Sequence, residues 1–351
     1  MPRIIRSGLT IRSFRSVSFS ILLVACAPTG AIGWRQSPRM EDIDRVRIAE
    51  AFRLAAKLGN RVWKNWDKAP FAILLITQDQ EFLIRHPKPP ADFTRSGFDP
   101  VLAGDFYFRK RVLPPNLLAT FPLDGVATVV VGRAENTSSK TSSPWVAAVL
   151  HEHFHQLQYS QPDYFTKVAA LGLTGGDKTG MWMLNFPFPY GDPLTGRRFS
   201  ELCRSLAAAL DARPDADLGK KLRGYVDIRR KFTDSLKADD YKYLSFQLWQ
   251  EGVARYVEWR MAKAAASEYR PSKQFVALAD YTAFASVADS ILGRISNDLD
   301  DAKLSKRERT AFYSLGAAEA MLADLAGSKW KKRYFENPLS TEGYLVSRPT
   351  G

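Results

Sequence analysis

The hydrophobic period of the chain changes near residue 143, and the change predicts its architecture. Residues 41–66 repeat apolar side chains at helical spacing (Ile43, Val46, Ile48, Phe52, Ala55, Leu58). Short apolar runs follow: FAILLIT at 71–77, DFYFRKRV at 105–112 and VATVVVG at 126–132, separated by Pro- and Gly-rich segments. These read as strands. Beyond 143 the period is almost wholly helical. Residues 216–238 set Leu218, Leu222, Tyr225, Phe232 and Leu236 on one face with Lys and Arg opposite, and 241–265, 284–298 and 306–327 read as further helices. The expected class is α+β: a helix and a twisted sheet within 27–142, then a mostly helical part over 143–351. Strand 126–132 is expected to form a sheet edge on which an extended substrate pairs.

One stretch, 173–200, has no clear period. Its Gly, Pro and aromatic residues suit a lid or pocket wall. It contains GLTGGDKTG, close to a phosphate-binding loop, but that motif needs glycine directly before the lysine so that the main chain wraps the phosphates. Asp177 holds the position and would repel them, which excludes nucleotide binding there.

The N-terminus reads as an export signal (residues 1–26): Arg3, Arg6, Arg12 and Arg15 precede the apolar run VSFSILLVA, too short to span a bilayer. Leu23 to Cys26, LVAC, resembles a bacterial lipobox, so Cys26 is expected to be lipidated and to begin the mature chain; Ala25-Cys26-Ala27 also fits ordinary signal cleavage. Either way the protein is expected to be exported, to a bacterial periplasm or cell surface, with membrane association through the lipid. Processing takes the net charge from +13 to about +9. The remaining basic residues are interleaved with Asp and Glu along helices, which describes a solvated surface, and no nucleic-acid partner is expected. Cys203 is then left alone in an apolar helical context, a buried thiol.

The chemistry gathers in VLHEHFHQLQ, residues 149–158, which holds three of the four histidines. Ser143 and Pro144 read as N-cap and first residue of a helix running to about Tyr159, with Val146, Leu150, Phe154 and Leu157 as its apolar stripe. His151 and His155 project from one face, one turn apart, so two neutral nitrogens can reach one metal ion. Glu152, about 100° round the helix, can touch a water without ligating the metal. This is the His-Glu-x-x-His arrangement of zinc hydrolases. His153, rotated about 200° from His151, reads as a packing or surface histidine. Catalytic zinc takes a third protein ligand. Glu251, in FQLWQEGVARYVEWR, is the best candidate, and Gly252 beside it would let its helix approach the histidine helix closely. Glu258, two turns on, is placed to orient a ligating histidine or to pair with Arg255.

LWQEGVARYVE resembles the third-ligand helix of the M1 aminopeptidases and related gluzincins, whose pattern is Trp-Leu-Asn-Glu-Gly-Phe-Ala-x-Tyr. AFYSLGAAEAML is similar to the family's Tyr-x-x-Gly-Ala segment, and VVVGRAEN (129–136) stands where the family has its Gly-x-Met-Glu-Asn strand. The resemblance implies a zincin-like fold, a Zn2+ ion on His151, His155 and Glu251, Glu152 as general base, Tyr313 as oxyanion donor and Glu135 as anchor of a substrate's amine. It covers a few dozen residues and departs in two places. Ala134 stands for the family's methionine, and 95 residues intervene between His155 and Glu251, far more than the family's spacing. The expected function is an exported zinc metallopeptidase acting on peptides or proteins. Two alternatives stay open: a non-catalytic, surface-anchored binding module that keeps the fold, and a zinc hydrolase of a non-peptide amide bond.

Overall fold

A helix and six strands precede the helical part of the chain, as the change of period requires. The computed structural model describes residues 38–212 and 216–345; the expected export signal and Cys26 lie outside them. After α1 (Asp42–Val62) come β1 (Ala72–Ile76), β2 (Gln80–Ile84), β3 (Thr94–Asp99), β4 (Gly104–Lys110), β5 (Leu118–Leu123) and β6 (Val126–Gly132). The helices that follow are α2 (Ser142–Tyr159), α3 (Tyr164–Ala170), α4 (Trp182–Asn185), α5 (Pro193–Leu210), α6 (Ala216–Thr233), α7 (Ala238–Gln247), α8 (Val253–Glu268), α9 (Lys273–Val276), α10 (Phe284–Asp301), α11 (Leu304–Arg307), α12 (Thr310–Leu325) and α13 (Trp330–Arg333). A π-helical turn, Leu248–Gly252, joins α7 to α8. The class is α+β.

The sheet is mixed, with order β3-β4-β2-β1-β6-β5; β1 and β6 run parallel and the other neighbours antiparallel. β1 is buried on both faces. Ile73 and Leu75, with Val129 and Val131 of β6, enter the main core, while Leu74, Ile76 and Val130 join a smaller cluster with Leu83 and Phe93 on the other face. Each such side chain contributes roughly 1.5–3 kcal/mol by leaving water. The expectation that β6 forms an edge is corrected: it lies between β1 and β5, and both its sides are paired. Burial of successive residues on both faces is the mark of an interior strand. The free edge on this side is β5, which carries Pro122, a residue that edges tolerate because it has no N–H to donate.

α2 lies across this half of the sheet, packed on β5 and β6, and meets α1 and α8 on its other sides. Two side chains lock it there. Gln156 Nε2 donates to the carbonyls of Ala72 (2.9 Å) and Ala127 (2.7 Å), and Trp145 Nε1 donates to the Gly132 carbonyl (2.9 Å). Gly132 is required for a second reason: a Cβ on it would stand 1.9 Å from the Pro115 carbonyl oxygen. The helix starts two residues earlier than its serine and proline suggest, and Ser143 is not its cap. Ser142 accepts from Arg47 (2.8 Å) and donates to Asp280 (2.6 Å), and Ser143 accepts from the Thr282 amide (3.1 Å). The two hydroxyls tie the helix start to α1 and to a distant loop.

The stretch 173–200 is packed and partly helical. Asp177 accepts from the Thr179 and Trp182 amides, both at 2.7 Å, shaping the turn into α4. Asp192 caps α5 through the Thr195 amide (2.7 Å). Phe186 stacks on Tyr243 (centroids 4.4 Å apart), and Trp182 and Phe188 sit against Phe246 and Phe312. The segment is therefore a wall laid over α7 and α12. Cys203 is buried and free, and burial pushes its thiol up. No helix among the described residues is long and apolar enough to cross a membrane.

Candidate metal centre

His151 and His155 share one face of α2, turned about 100° from its sheet-facing Trp145 and Gln156, and both are buried. The π turn presents Glu251 to them. Glu251 Oε2 lies 3.5 Å from His151 Nε2 and 3.5 Å from His155 Nε2. One donor atom from each residue falls within 4.8 Å of the others. A wider turn rotates the following residues by less than an α-helical step, and π turns recur where a helix must aim a functional group. The expectation that Gly252 allows close approach to the histidine helix needs correction. Its close neighbour is Gly316 of α12: a Cβ on Gly252 would stand 2.5 Å from the Gly316 Cα.

Each imidazole is oriented from behind. His151 Nδ1 faces Glu258 Oε2 at 3.2 Å; a carboxylate only accepts, so Nδ1 carries a proton and Nε2 is the nitrogen left to face Glu251. Glu258 also accepts from Arg255 Nη1 (2.6 Å), so it performs both roles that the sequence offered it. Burial would raise the Glu258 carboxyl, but Arg255 and His151 hold it at about 2. His155 Nδ1 meets Gln158 Oε1 at 2.6 Å. That amide is oriented by its own donations to the Gln250 carbonyl (2.9 Å) and the Tyr334 hydroxyl (2.6 Å), which in turn donates to the Trp249 carbonyl (2.8 Å). Such partners behind a ligating histidine fix its tautomer and ring orientation.

The electrostatics match this assignment. Burial disfavours charged His151, yet Glu251 and Glu258 outweigh it and raise the imidazolium to about 9. His155 is also raised, mainly by Glu251 against burial. Burial would raise Glu251 as well, but the two imidazoles hold it well below the carboxylate range. His153 is the contrast. It stacks on Phe71 (3.7 Å between centroids, 3° between planes) and on Trp66, and burial lowers it to about 3, so it is a neutral packing residue.

The other expected site residues are placed as follows. Glu152 is buried, and its Oε2 accepts from Thr120 Oγ1 of β5 at 2.9 Å, while Oε1 has no hydrogen bond among the described residues. Tyr313 on α12 faces Glu251 and Glu152; burial and these carboxylates push its phenol up. Arg309 Nη1 donates to the Tyr313 hydroxyl. Glu135 belongs to a separate cluster at the start of α2, paired with Arg47 (2.8 Å) and Arg133 (3.0 Å). At 1.5 Å rise per residue, Ser142 in that cluster is about 13 Å along the helix from His151. Sequence reasoning missed Thr120, Gln158, Tyr334 and Arg309. Gln158 and Arg309 had a local signal, since they stand three and four residues from His155 and Tyr313, spacings that place two residues on one helical face.

Comparison with protein-family models, curated proteins and solved structures finds no match to this chain. The geometry therefore carries the functional reading.

Proposed function

We propose that this chain is an exported zinc-dependent metallopeptidase of the gluzincin type. The observation that carries the reading is the donor set: two imidazole nitrogens and one carboxylate oxygen that converge, with both outer imidazole nitrogens already engaged. A tetrahedral zinc with bonds of about 2.0–2.1 Å sets its donors about 3.3 Å apart, close to the 3.5 Å observed between Glu251 and each histidine. His151, His155 and Glu251 would hold the ion. When bound, zinc supplies a Lewis acid that brings the pKa of water toward neutrality.

The remaining chemistry belongs to side chains. Glu152 Oε1, which has no hydrogen bond among the described residues, takes the proton of the attacking water and returns it to the departing amine. Thr120 Oγ1 stands equally close to the Glu152 carbonyl (2.9 Å), so its single proton is shared between that carbonyl and Oε2. Tyr313 accepts a hydrogen bond from Arg309, and its own O–H, which faces Glu251, would donate toward the oxyanion that forms at the scissile carbonyl. The free edge of β5, beside Glu152, offers main-chain groups on which an extended peptide can pair without regard to side chains. Lipidation at Cys26 completes the proposal: a peptidase held at a membrane surface.

The test joins metal and turnover. Elemental analysis of the purified protein is expected to give about one zinc per chain, lost in His151→Ala and Glu251→Ala. The wild type is expected to cleave members of a peptide library, and Glu152→Gln to bind zinc without cleaving. Zinc retained in Glu251→Ala, or cleavage surviving in Glu152→Gln, removes the reading.

A further inference from the structure

α2 ends on an aromatic residue that shares the face of the candidate ligands. Tyr159 follows His155 by four residues and His151 by eight, so the three side chains rise from one row of the helix. The Tyr159 ring lies 6.5 Å from the His155 ring, centre to centre, and is half-buried. Burial and the carboxylates of Glu251 and Glu152 push its phenol up.

The chain then turns back on itself. Asp163 holds φ +62°, in the left-handed region, and α3 lays Tyr164 and Phe165 against Tyr159, at 4.7 and 5.6 Å between ring centres. Tyr164 is buried, and its hydroxyl donates to Gln250 Oε1 at 2.9 Å, in the turn that carries Glu251. Phe165 meets both rings edge to face, at 61° to Tyr159 and 88° to Tyr164, and is left 54% exposed. The other exposed phenylalanine among the described residues, Phe98, lies on β3 at the sheet edge away from α2.

A single exposed apolar side chain is ordinary surface. Phe165 differs because a path of ring contacts, through Tyr159 to His155, joins it to the candidate ligands. The corner between the two rings is thus continuous with the place where a bond would be cut, and its natural occupant is a side chain of the substrate. An extended peptide advances about 3.3–3.6 Å per residue, so a residue adjoining the cut bond can set its side chain against a ring 6.5 Å from a ligand. Two rings set at an angle offer a third ring the stacked and edge-on contacts that aromatic groups prefer, and covering Phe165 takes apolar surface out of water.

We propose that Tyr159 and Phe165 form a specificity corner beside the candidate metal group, selecting peptides that carry a large apolar side chain, aromatic above all, next to the bond that is cut. The proposal deepens the peptidase reading and rests on it.

Zinc-loaded wild type is incubated with random heptapeptides, and the cut positions are read by mass spectrometry. Phe, Tyr and Trp are expected at one fixed position next to the cut about 10–100-fold more often than Ala, the scale of burying one such side chain. Phe165→Ser is expected to reduce that excess to a few-fold or less at unchanged zinc content, and Phe165→Trp to keep it. Val276→Ser, which removes a 47% exposed apolar residue from α9, is expected to leave the profile as it was. Cleavage without preference, or a preference untouched by Phe165→Ser, overturns the corner and leaves the peptidase reading. Dimerisation that Phe165→Ser abolishes while the cleavage profile stays the same assigns the surface to a second copy of the chain and also overturns it. Should the wild type cut nothing, the peptidase reading falls, and retention of the same peptides by zinc-loaded Glu152→Gln decides the corner: retention of aromatic peptides that depends on Phe165 keeps it, and equal retention overturns it.

Discussion

Gly252 and Gly316 meet backbone to backbone. A Cβ on Gly316 would stand 2.8 Å from the Gly252 Cα and 2.8 Å from the Leu248 carbonyl oxygen. The turn that carries Glu251 and the helix that carries Tyr313 are thereby fixed to each other by main chain rather than by adaptable side chains. Gly316→Ala is expected to lower stability by about 2–4 kcal/mol, because neither neighbour can yield. Gly293→Ala, in α10 with open space around it, is the control and is expected to be neutral or stabilising by up to about 1 kcal/mol. Urea denaturation of the two variants makes the comparison.

Glu258 makes no contact with the place where the metal would lie, yet it determines how His151 faces that place. Glu258→Gln keeps the shape and removes the charge. Zinc affinity is expected to fall about 10–100-fold, measured by competition with a chromophoric chelator. An unchanged affinity would show that Arg255 alone accounts for the glutamate.

The metal-free site sets the sign of the pH dependence. His151 is raised to about 9 there, so at neutral pH a proton sits on the Nε2 that a metal must use. Zinc uptake is expected to release protons below that pH, and apparent affinity to climb as pH rises from 6 toward 9. The metal-free protein follows the opposite course. Stability from the raised imidazole is full below its ordinary pKa of about 6.5 and is lost as pH rises through about 9, so the stabilisation given by zinc widens with pH. Calorimetric titration in two buffers of different ionisation enthalpy counts the protons; a count of zero at pH 7 contradicts the assignment.

Tyr313→Phe leaves all three candidate ligands and Glu152 in place and removes one hydroxyl. Steady-state kinetics on a peptide that the wild type cleaves are expected to show kcat reduced about 100–1,000-fold with KM little changed and zinc content intact. A loss confined to KM would make the phenol a binding group only.

The candidate metal group was legible in sequence for a plain reason. His151, Glu152 and His155 lie within one helical turn and a half, where spacing alone determines direction. Glu251 is separated from His155 by 95 intervening residues and was found through its local pattern. Contacts set by the tertiary fold left no such trace. Thr120 reaches Glu152 because β5 is the sheet edge beneath α2, and β5 itself was invisible: its run, LATFPL, is short and broken by proline. β3 was hidden by a bulge between Arg95 and Gly97 that disrupts its alternation. The neighbour of Gly252 was misassigned because a glycine announces a close approach without saying to what. Glu135 looked available in sequence, but of its two arginine partners only Arg133 is a neighbour in the chain, and no local pattern connects Arg47 to it.

The clamp formed by Gln156 has a mechanical consequence. α2 holds the histidines on one face and grips the carbonyls of two adjacent strands from another, so it behaves as a stiff beam joining the chemistry to the sheet. Withdrawal of an ion bound at the candidate site should then be felt far from the three candidate ligands, as faster deuterium uptake by the amides of β5 and β6, with the outer strand β3 left undisturbed.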